Sequence, residues 1–346
     1  MSTRLDDVEL RDFRPDDVEA VLALRARVFP AGDLARERRR WKWEFDENPF
    51  RSGRVPSAWV LERRGTIVGN YGLVPTPVSI DGKVELCFNG IDIAVAPELQ
   101  GRGLGAAMIA RHLDPKLCRF PFITAPAPAV AHLVVRSGGT VVRAADEQSV
   151  FVLHDASSAP ASATRPPSGV ALRPIESFDR SFDALAAKVA ARHRIQVARD
   201  HRYLDWRYRD YPFGRPEMVA AAGGAGELRG FLVLQHDRAK GVGYLLELFA
   251  APDDEPALLA LIAGAKEIAR ARGIVDVYAL ARAAPAQEQV QGLLIASGFT
   301  SVEEKSLALA FRLPRNEASA PPFTPADVYW SPGDGDLLFG IGGTDG

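Results

Sequence analysis

Cysteine is nearly missing from this chain of 346 residues: Cys87 and Cys118 stand alone, with no paired spacing between them. They read as ordinary buried or half-buried thiols in a reducing compartment, which excludes a disulfide-framework fold. Long apolar runs are missing too. Nowhere do eighteen apolar residues run together, and the opening MSTRLDDVEL has no apolar core for export. The expectation is a cytoplasmic protein with no membrane partner. Nor is there an excess of charge of one sign. A formal net charge of -2 argues against a basic nucleic-acid footprint. What remains is a soluble globular composition, 47% hydrophobic and 25% charged, long enough for two ordinary domains.

The most informative stretch runs from Asn89 to Leu113, NGIDIAVAPELQGRGLGAAMIARHL. Ile91, Ile93 and Val95 alternate as in a strand, Ala96-Pro97 turns the chain, and Leu104, Met108, Ile109 and Leu113 have helical spacing. Between them lies QGRGLG, from Gln100 to Gly105. Backbone N–H groups ahead of a helix have no intrahelical partner and sit at the positive end of its dipole, which suits a phosphate or pyrophosphate. Gly101, Gly103 and Gly105 keep side chains out of the way. No βαβ unit opens here near the N-terminus, and no lysine-plus-hydroxyl pair follows the loop. A Rossmann or nucleotide-triphosphate loop therefore fits poorly.

This pattern of apolar strand, V-x-P-x-x-Q-G-x-G-x-G and small-residue helix resembles the acyl-CoA signature of the GCN5-related N-acetyltransferases (GNAT), Gln/Arg-x-x-Gly-x-Gly/Ala. The matching positions are Gln100, Gly103 and Gly105. The resemblance implies that the thioester of acetyl-CoA lies along Ile93, Ala94 and Val95. It places the pyrophosphate on the N–H groups of Gln100, Gly101, Arg102, Gly103, Leu104, Gly105 and Ala106. The Arg102 side chain either reaches a phosphate or points to water. The implied cofactor is acetyl-CoA as a co-substrate, with no metal.

The element order agrees with that resemblance over residues 8–153. A first strand (VELRDF) precedes a helix opened by Pro15-Asp16-Asp17, and a second helix spans Leu34 to Phe45. Its Arg36, Arg38, Arg39 and Arg40 read as a solvated face. Strands follow at Ser57–Arg63, Ile67–Val78 and Val84–Ala96, with Asp81-Gly82 as a two-residue hairpin turn. Phe120–Ala125 reads as a strand parallel to Ile91–Val95, reached by a right-handed crossover. Ser149–Leu153 is expected to close this first sheet.

The second half repeats the first. Val170–Ile175 matches Val8–Phe13, WRYRDYPF at 206–213 matches WEFDENPF at 43–50, and Ser297-Gly298 matches Ser137-Gly138. The expected architecture is α/β (α+β): two tandem GNAT-like domains, each with a mixed, mostly antiparallel sheet flanked by helices. Residues 1–154 form the domain with the acyl-CoA loop, 155–168 a linker, 169–313 a domain without that loop, and 314–346 a Pro/Gly-rich tail. In the second copy Ala251-Pro252 leads into Asp253, Asp254 and Glu255, carboxylates expected to repel a pyrophosphate. The tail's large apolar residues imply that 323–339 dock, with Asp334 and Asp336 read as turn residues.

Acyl transfer to an amine needs a polarised thioester carbonyl, a neutral amine and a proton for the leaving thiolate. Asp92 is the first candidate base, the other reading being an ion pair on the sheet face. Glu85 and Tyr71 are weaker alternatives. His132 follows the crossover, where a residue approaches the thiol, and reads either as functional or as a packed helix residue. The family often carries a tyrosine acid where this chain has Val134, and no tyrosine lies between Tyr71 and Tyr203. The expected function is acetyl or short acyl transfer to a small-molecule amine in a ternary complex. The alternatives are an aminoacyl-tRNA-dependent transferase of the same fold and a non-catalytic acyl-CoA-binding protein. The sequence leaves the acceptor and the oligomeric state open.

Overall fold

A computed structural model of the chain describes residues 7–29, 33–53, 55–147, 149–158, 169–251, 253–282, 287–304, 307–315 and 321–335. The first half runs β1 (Val8–Asp12), α1 (Val18–Val28), α2 (Leu34–Trp41), β2 (Ala58–Arg63), β3 (Thr66–Ile80) and β4 (Lys83–Val95). It continues with α3 (Leu104–His112), β5 (Phe122–Thr124), α4 (Pro128–Arg136), β6 (Thr140–Arg143) and β7 (Val150–Leu153). Next come β8 (Ala171–Pro174), α5 (Arg180–Ala190), β9 (Ile195–Val197), α6 (His201–Leu204), β10 (Glu217–Ala222) and β11 (Leu228–Asp237). The chain ends with β12 (Val242–Ala250), α7 (Glu255–Arg272), β13 (Asp276–Leu280), α8 (Glu288–Ala296), β14 (Thr300–Val302), β15 (Ala308–Phe311) and β16 (Val328–Tyr329).

These elements form two compact units, the first made of residues 1–77, 85–142 and 308–323, the second of 78–84, 143–307 and 324–346. In the first, the strand order is β1-β2-β3-β4-β5-β15-β6. The turn between β3 and β4 has both Asp81 and Gly82 at positive φ, 47° and 78°. That is the type I′ geometry for which the dipeptide is suited. Helix α3 buries Leu104, Met108 and Ile109, each contributing about 1.5–3 kcal/mol. The second unit has the order β14-β7-β13-β12-β11-β10-β8, with α7 laid on the apolar cluster that includes Leu232, Leu261, Ile262 and Phe299.

One expected pairing is replaced. Residues 150–153 do not close the first sheet; β7 pairs antiparallel with β13 and β14 in the second. The corresponding place beside β5 is taken by β15, which pairs antiparallel through Leu309↔Thr124 and Phe311↔Phe122. Val-Phe-Val-Leu is buried throughout, and a short strand buried on both faces carries no pattern that names its neighbour. The domain boundaries expected at 154 and 169 therefore differ from the two units seen here.

The repeat anchors recur in three dimensions. Helix α2 runs into a wide turn at Lys42–Asp46 and α6 into one at Asp205–Arg209, so Trp43 and Trp206 stand at matching places, both buried. Helices α4 and α8 each end in Ser-Gly, with Gly138 at φ 79° and Gly298 at φ 92°. Of the tail, Phe323, Tyr329 and Trp330 are buried. Asp336 and the apolar residues 337–339 lie outside the described residues, as does 159–168 of the expected linker.

Candidate active site

Strand β4 meets its parallel neighbour β5 with Asn89 opposite Phe122. The Asn89 side chain bridges the strands: Nδ2 donates to Thr124 Oγ1 at 3.2 Å, and Oδ1 accepts from the Thr124 N–H at 3.3 Å. Beyond that point β4 continues to Val95, while β5 ends at Thr124. Ile93 and Val95 are half-buried there and Ala94 is buried.

From Val95 the chain passes through Ala96–Gly103 into α3. Gln100 ties this loop back to the strand, its Nε2 donating to the Val95 carbonyl at 3.0 Å. Gly101 and Gly103 have φ of 75° and 83°, the left-handed region that glycine enters without steric cost. Gly103 caps α3, and no side chain bonds the helix end. The first amide that the helix engages is Ala107, donating to the Gly103 carbonyl at 3.1 Å. Among the described residues, no partner meets the N–H groups of 101–106; that of Gln100, expected with them, instead donates to the Pro97 carbonyl at 3.3 Å. Gly101, Arg102 and Gly103 are exposed, Gly105 and Ala106 half-buried, and Leu104 buries its side chain. The loop is a row of open donors at the positive end of a helix, the electrostatics an anionic phosphate requires.

Asp92 lies one residue before Ile93, with φ at 49°, an uncommon conformation for a residue other than glycine. Two arginines clamp it: Arg25 of α1 at 2.8 Å and Arg40 of α2 at 3.0 Å. Its carbonyl accepts from Asn70 Nδ2 at 2.8 Å. Burial works against its charge, but Arg40 and Arg25 outweigh that and hold the carboxyl below the usual range. Arg40 was expected on a solvated face; instead it is buried and shared with Glu44 at 3.2 Å. A helical face pattern cannot report an ion pair to a strand fifty residues away.

The other candidates are scattered. His132 is exposed on α4. Glu85 pairs with Arg119 at 2.6 Å. Tyr71 is buried, with its phenol pushed well up by burial, and lies edge-on to His112, ring centroids 5.3 Å apart. Val134 and both cysteines are buried. The sequence reading missed Asn89 and Asn70, which brace β4 on either side; a lone asparagine in a strand was the available signal.

Residues 9–115 match the family profile described as an acetyltransferase (GNAT) domain. The chain carries a GNAT acetyltransferase domain. It is thereby an acyltransferase, and the open loop of α3 lies within the matched GNAT residues. Solved structures share the fold. A probable N-acyltransferase from Enterococcus faecalis V583 superposes with TM-score 0.62 at 12% identity, covering 88% of this chain and 72% of that one. A GCN5-related N-acetyltransferase from Kribbella flavida gives 0.61 at 18%, covering 88% and 70%. Saccharomyces cerevisiae N-myristoyltransferase with bound myristoyl-CoA and inhibitors gives 0.51 at 14%, covering 89% and 79%. No functionally curated protein matches the chain in sequence.

Proposed function

We propose that the GNAT domain moves an acetyl or short acyl group from acetyl-CoA to the amine of a small molecule, by direct attack while both are bound. The observation that carries this reading is the row of unpartnered amides at 101–106, directly after a strand that runs on past its parallel neighbour. The diphosphate of the coenzyme would lie on those amides, and the thioester beside Ile93, Ala94 and Val95. Amine attack then expels the thiolate, which is an acceptable leaving group near neutral pH. In this reading Asp92 shapes the strand and does not take the amine's proton, because a carboxylate held between two guanidiniums is a weak base. His132, exposed on α4, is left as the candidate for relaying that proton.

Titration of the full chain with acetyl-CoA tests the coenzyme site. Gly103→Glu should weaken binding by about a hundredfold or more, since each charge-assisted hydrogen bond lost is worth roughly 1.5–3 kcal/mol. Unchanged affinity would remove the loop assignment. Free-thiol release against an amine library then separates transfer from mere coenzyme binding, and turnover with aminoacyl-tRNA alone would favour the rival transferase. Asp92→Asn keeps a residue that tolerates positive φ and removes the charge. We expect kcat to fall with the pH profile of kcat/KM unmoved; loss of its acidic limb would instead make Asp92 the base.

A further inference from the structure

Apart from the acyl-transfer loop, the second unit holds a cavity of about 240 Å³. It lies where the segment before β10, the β11–β12 turn and the C-terminal end of α7 come together. Roughly 150 Å³ admits a benzene-sized guest, so this space suits a molecule of about ten non-hydrogen atoms. Each of the three elements contributes an arginine, Arg215, Arg238 and Arg272, and among the described residues the only carboxylate in the lining is Glu217.

Existing contacts do not use up this positive charge. Arg272 pairs with Glu217 at 2.6 Å. Arg215 donates to the carbonyls of Ile175 and Glu176, with the Glu176 carboxylate at 3.4 Å. Among the described residues, Arg238 makes no hydrogen bond or ion pair. Its backbone is nonetheless fixed. Asp237 Oδ1 accepts from the N–H groups of Ala239 and Lys240 at 3.2 and 3.3 Å, and Oδ2 meets Lys240 Nζ at 3.0 Å. Burial and then Arg238 lower the proton affinity of His236, which also lines the cavity.

The second observation is Gln235. It is 6% exposed, lines the same cavity, and among the described residues its Oε1 has no partner. A buried acceptor left unmet costs about 1–3 kcal/mol. The deprotonated oxygens of a carboxylate or phosphate cannot satisfy it, because they only accept; a hydroxyl can.

We propose that this cavity binds a small hydroxylated anion, of the hydroxy-acid or sugar-phosphate type, with its charge against Arg238 and Arg215 and a hydroxyl donated to Gln235 Oε1. The site is independent of the acyl-CoA reading and stands or falls without it.

Calorimetric titration of the full chain at low salt with malate, succinate and glycerol 3-phosphate tests it. Malate and succinate differ by one hydroxyl, and one hydrogen bond to an otherwise orphaned acceptor corresponds to about a tenfold preference for malate. The better of malate and glycerol 3-phosphate identifies the anionic end as carboxylate or phosphate. Arg238→Glu, an exposed change, should weaken both by about tenfold or more, the scale of a lost charge-assisted contact. Gln235→Met should leave succinate binding alone and erase the preference for malate. Lys188→Glu, exposed on α5, should alter neither. Absence of binding by all three probes would overturn the proposal, as would equal affinity for malate and succinate. So would equal losses in Arg238→Glu and Lys188→Glu, which would reduce the effect to general charge attraction.

Discussion

The two units solve the same local problem in opposite ways. In both, a strand bearing an ion-paired acid leads through Ala-Pro into a helix: Asp92 before Ala96-Pro97 and α3, Glu247 before Ala251-Pro252 and α7. The parallel pairing reaches Asn89 in the first and Tyr244 in the second, matching positions. The loops then diverge. Between β4 and α3 the chain inserts the glycine-rich segment and leaves the helix amides open. Between β12 and α7 the loop is shorter, and Asp254 caps the helix itself, Oδ1 accepting from the Ala257 N–H at 3.1 Å. The acids of the second loop are not bare repellents, as the sequence alone suggested. Asp254 pairs with Arg229 at 2.5 Å and Asp253 with Arg192. That cap, with Pro256 carrying no N–H, leaves this helix end fewer donors to lend to a ligand.

The paired acids diverge as well. Asp92 holds helices α1 and α2 through Arg25 and Arg40. Glu247 holds the C-terminal segment through a closed network. Arg199 meets Glu247 at 3.1 Å and Asp334 at 2.8 Å, all three side chains essentially unexposed. Ser331 Oγ and Tyr208 OH donate to Glu247 Oε1 at 2.9 and 2.7 Å. Asp334 is still the turn residue that was expected, since its Oδ2 accepts from the Ser331 N–H at 2.9 Å. Its ion pair was not foreseen.

The largest effect should come from this network. Asp334→Ala leaves a buried guanidinium short of charge and should cost about 3–5 kcal/mol in denaturant unfolding, whereas adding Arg199→Met should recover most of it. If Asp334→Ala costs under about 1 kcal/mol, the scale of an exposed pair, the segment is not held as described. Next is acid sensitivity. Burial lowers the His112 pKa to about 3, well below the ordinary 6.5. Stability from this neutral ring is full above pH 6.5 and is lost as pH falls towards 3, because the unfolded chain takes the proton first. At pH 5 the loss is about 2 kcal/mol. His112→Gln should flatten that slope, and an unchanged slope would shift the effect to His193 of the second unit, lowered to about 4 chiefly by burial. The smallest change is Asp254→Ala, which removes the cap and the pair to Arg229 at a cost of about 1–2 kcal/mol together. It should not create a second coenzyme site in a titration, because the loop still lacks the left-handed glycines. Two equivalents of acetyl-CoA bound would break the contrast between the units.

Local chemistry made much of this legible in advance. The QGRGLG loop, the Asp81-Gly82 turn and the paired Trp43 and Trp206 motifs are set by residues close together in sequence, and each is found where spacing placed it. What escaped depends on distant partners. Arg40 reads as solvated until Asp92 is brought against it, and Asp334 reads as a turn until Arg199 is buried beneath it. Val150–Leu153 reads as a strand with no address.

That last strand has a consequence for how the protein comes into being. A ribosome has finished β1 to β6 long before it makes β15, the strand that lies between β5 and β6. Until Phe311 has emerged, those two strands have raw edges, and β7 waits for β13 and β14 in turn. Contacts so far apart in sequence slow folding and leave edges open to the wrong neighbour. Neither half of this gene product, made alone, would have all the strands of its own sheet.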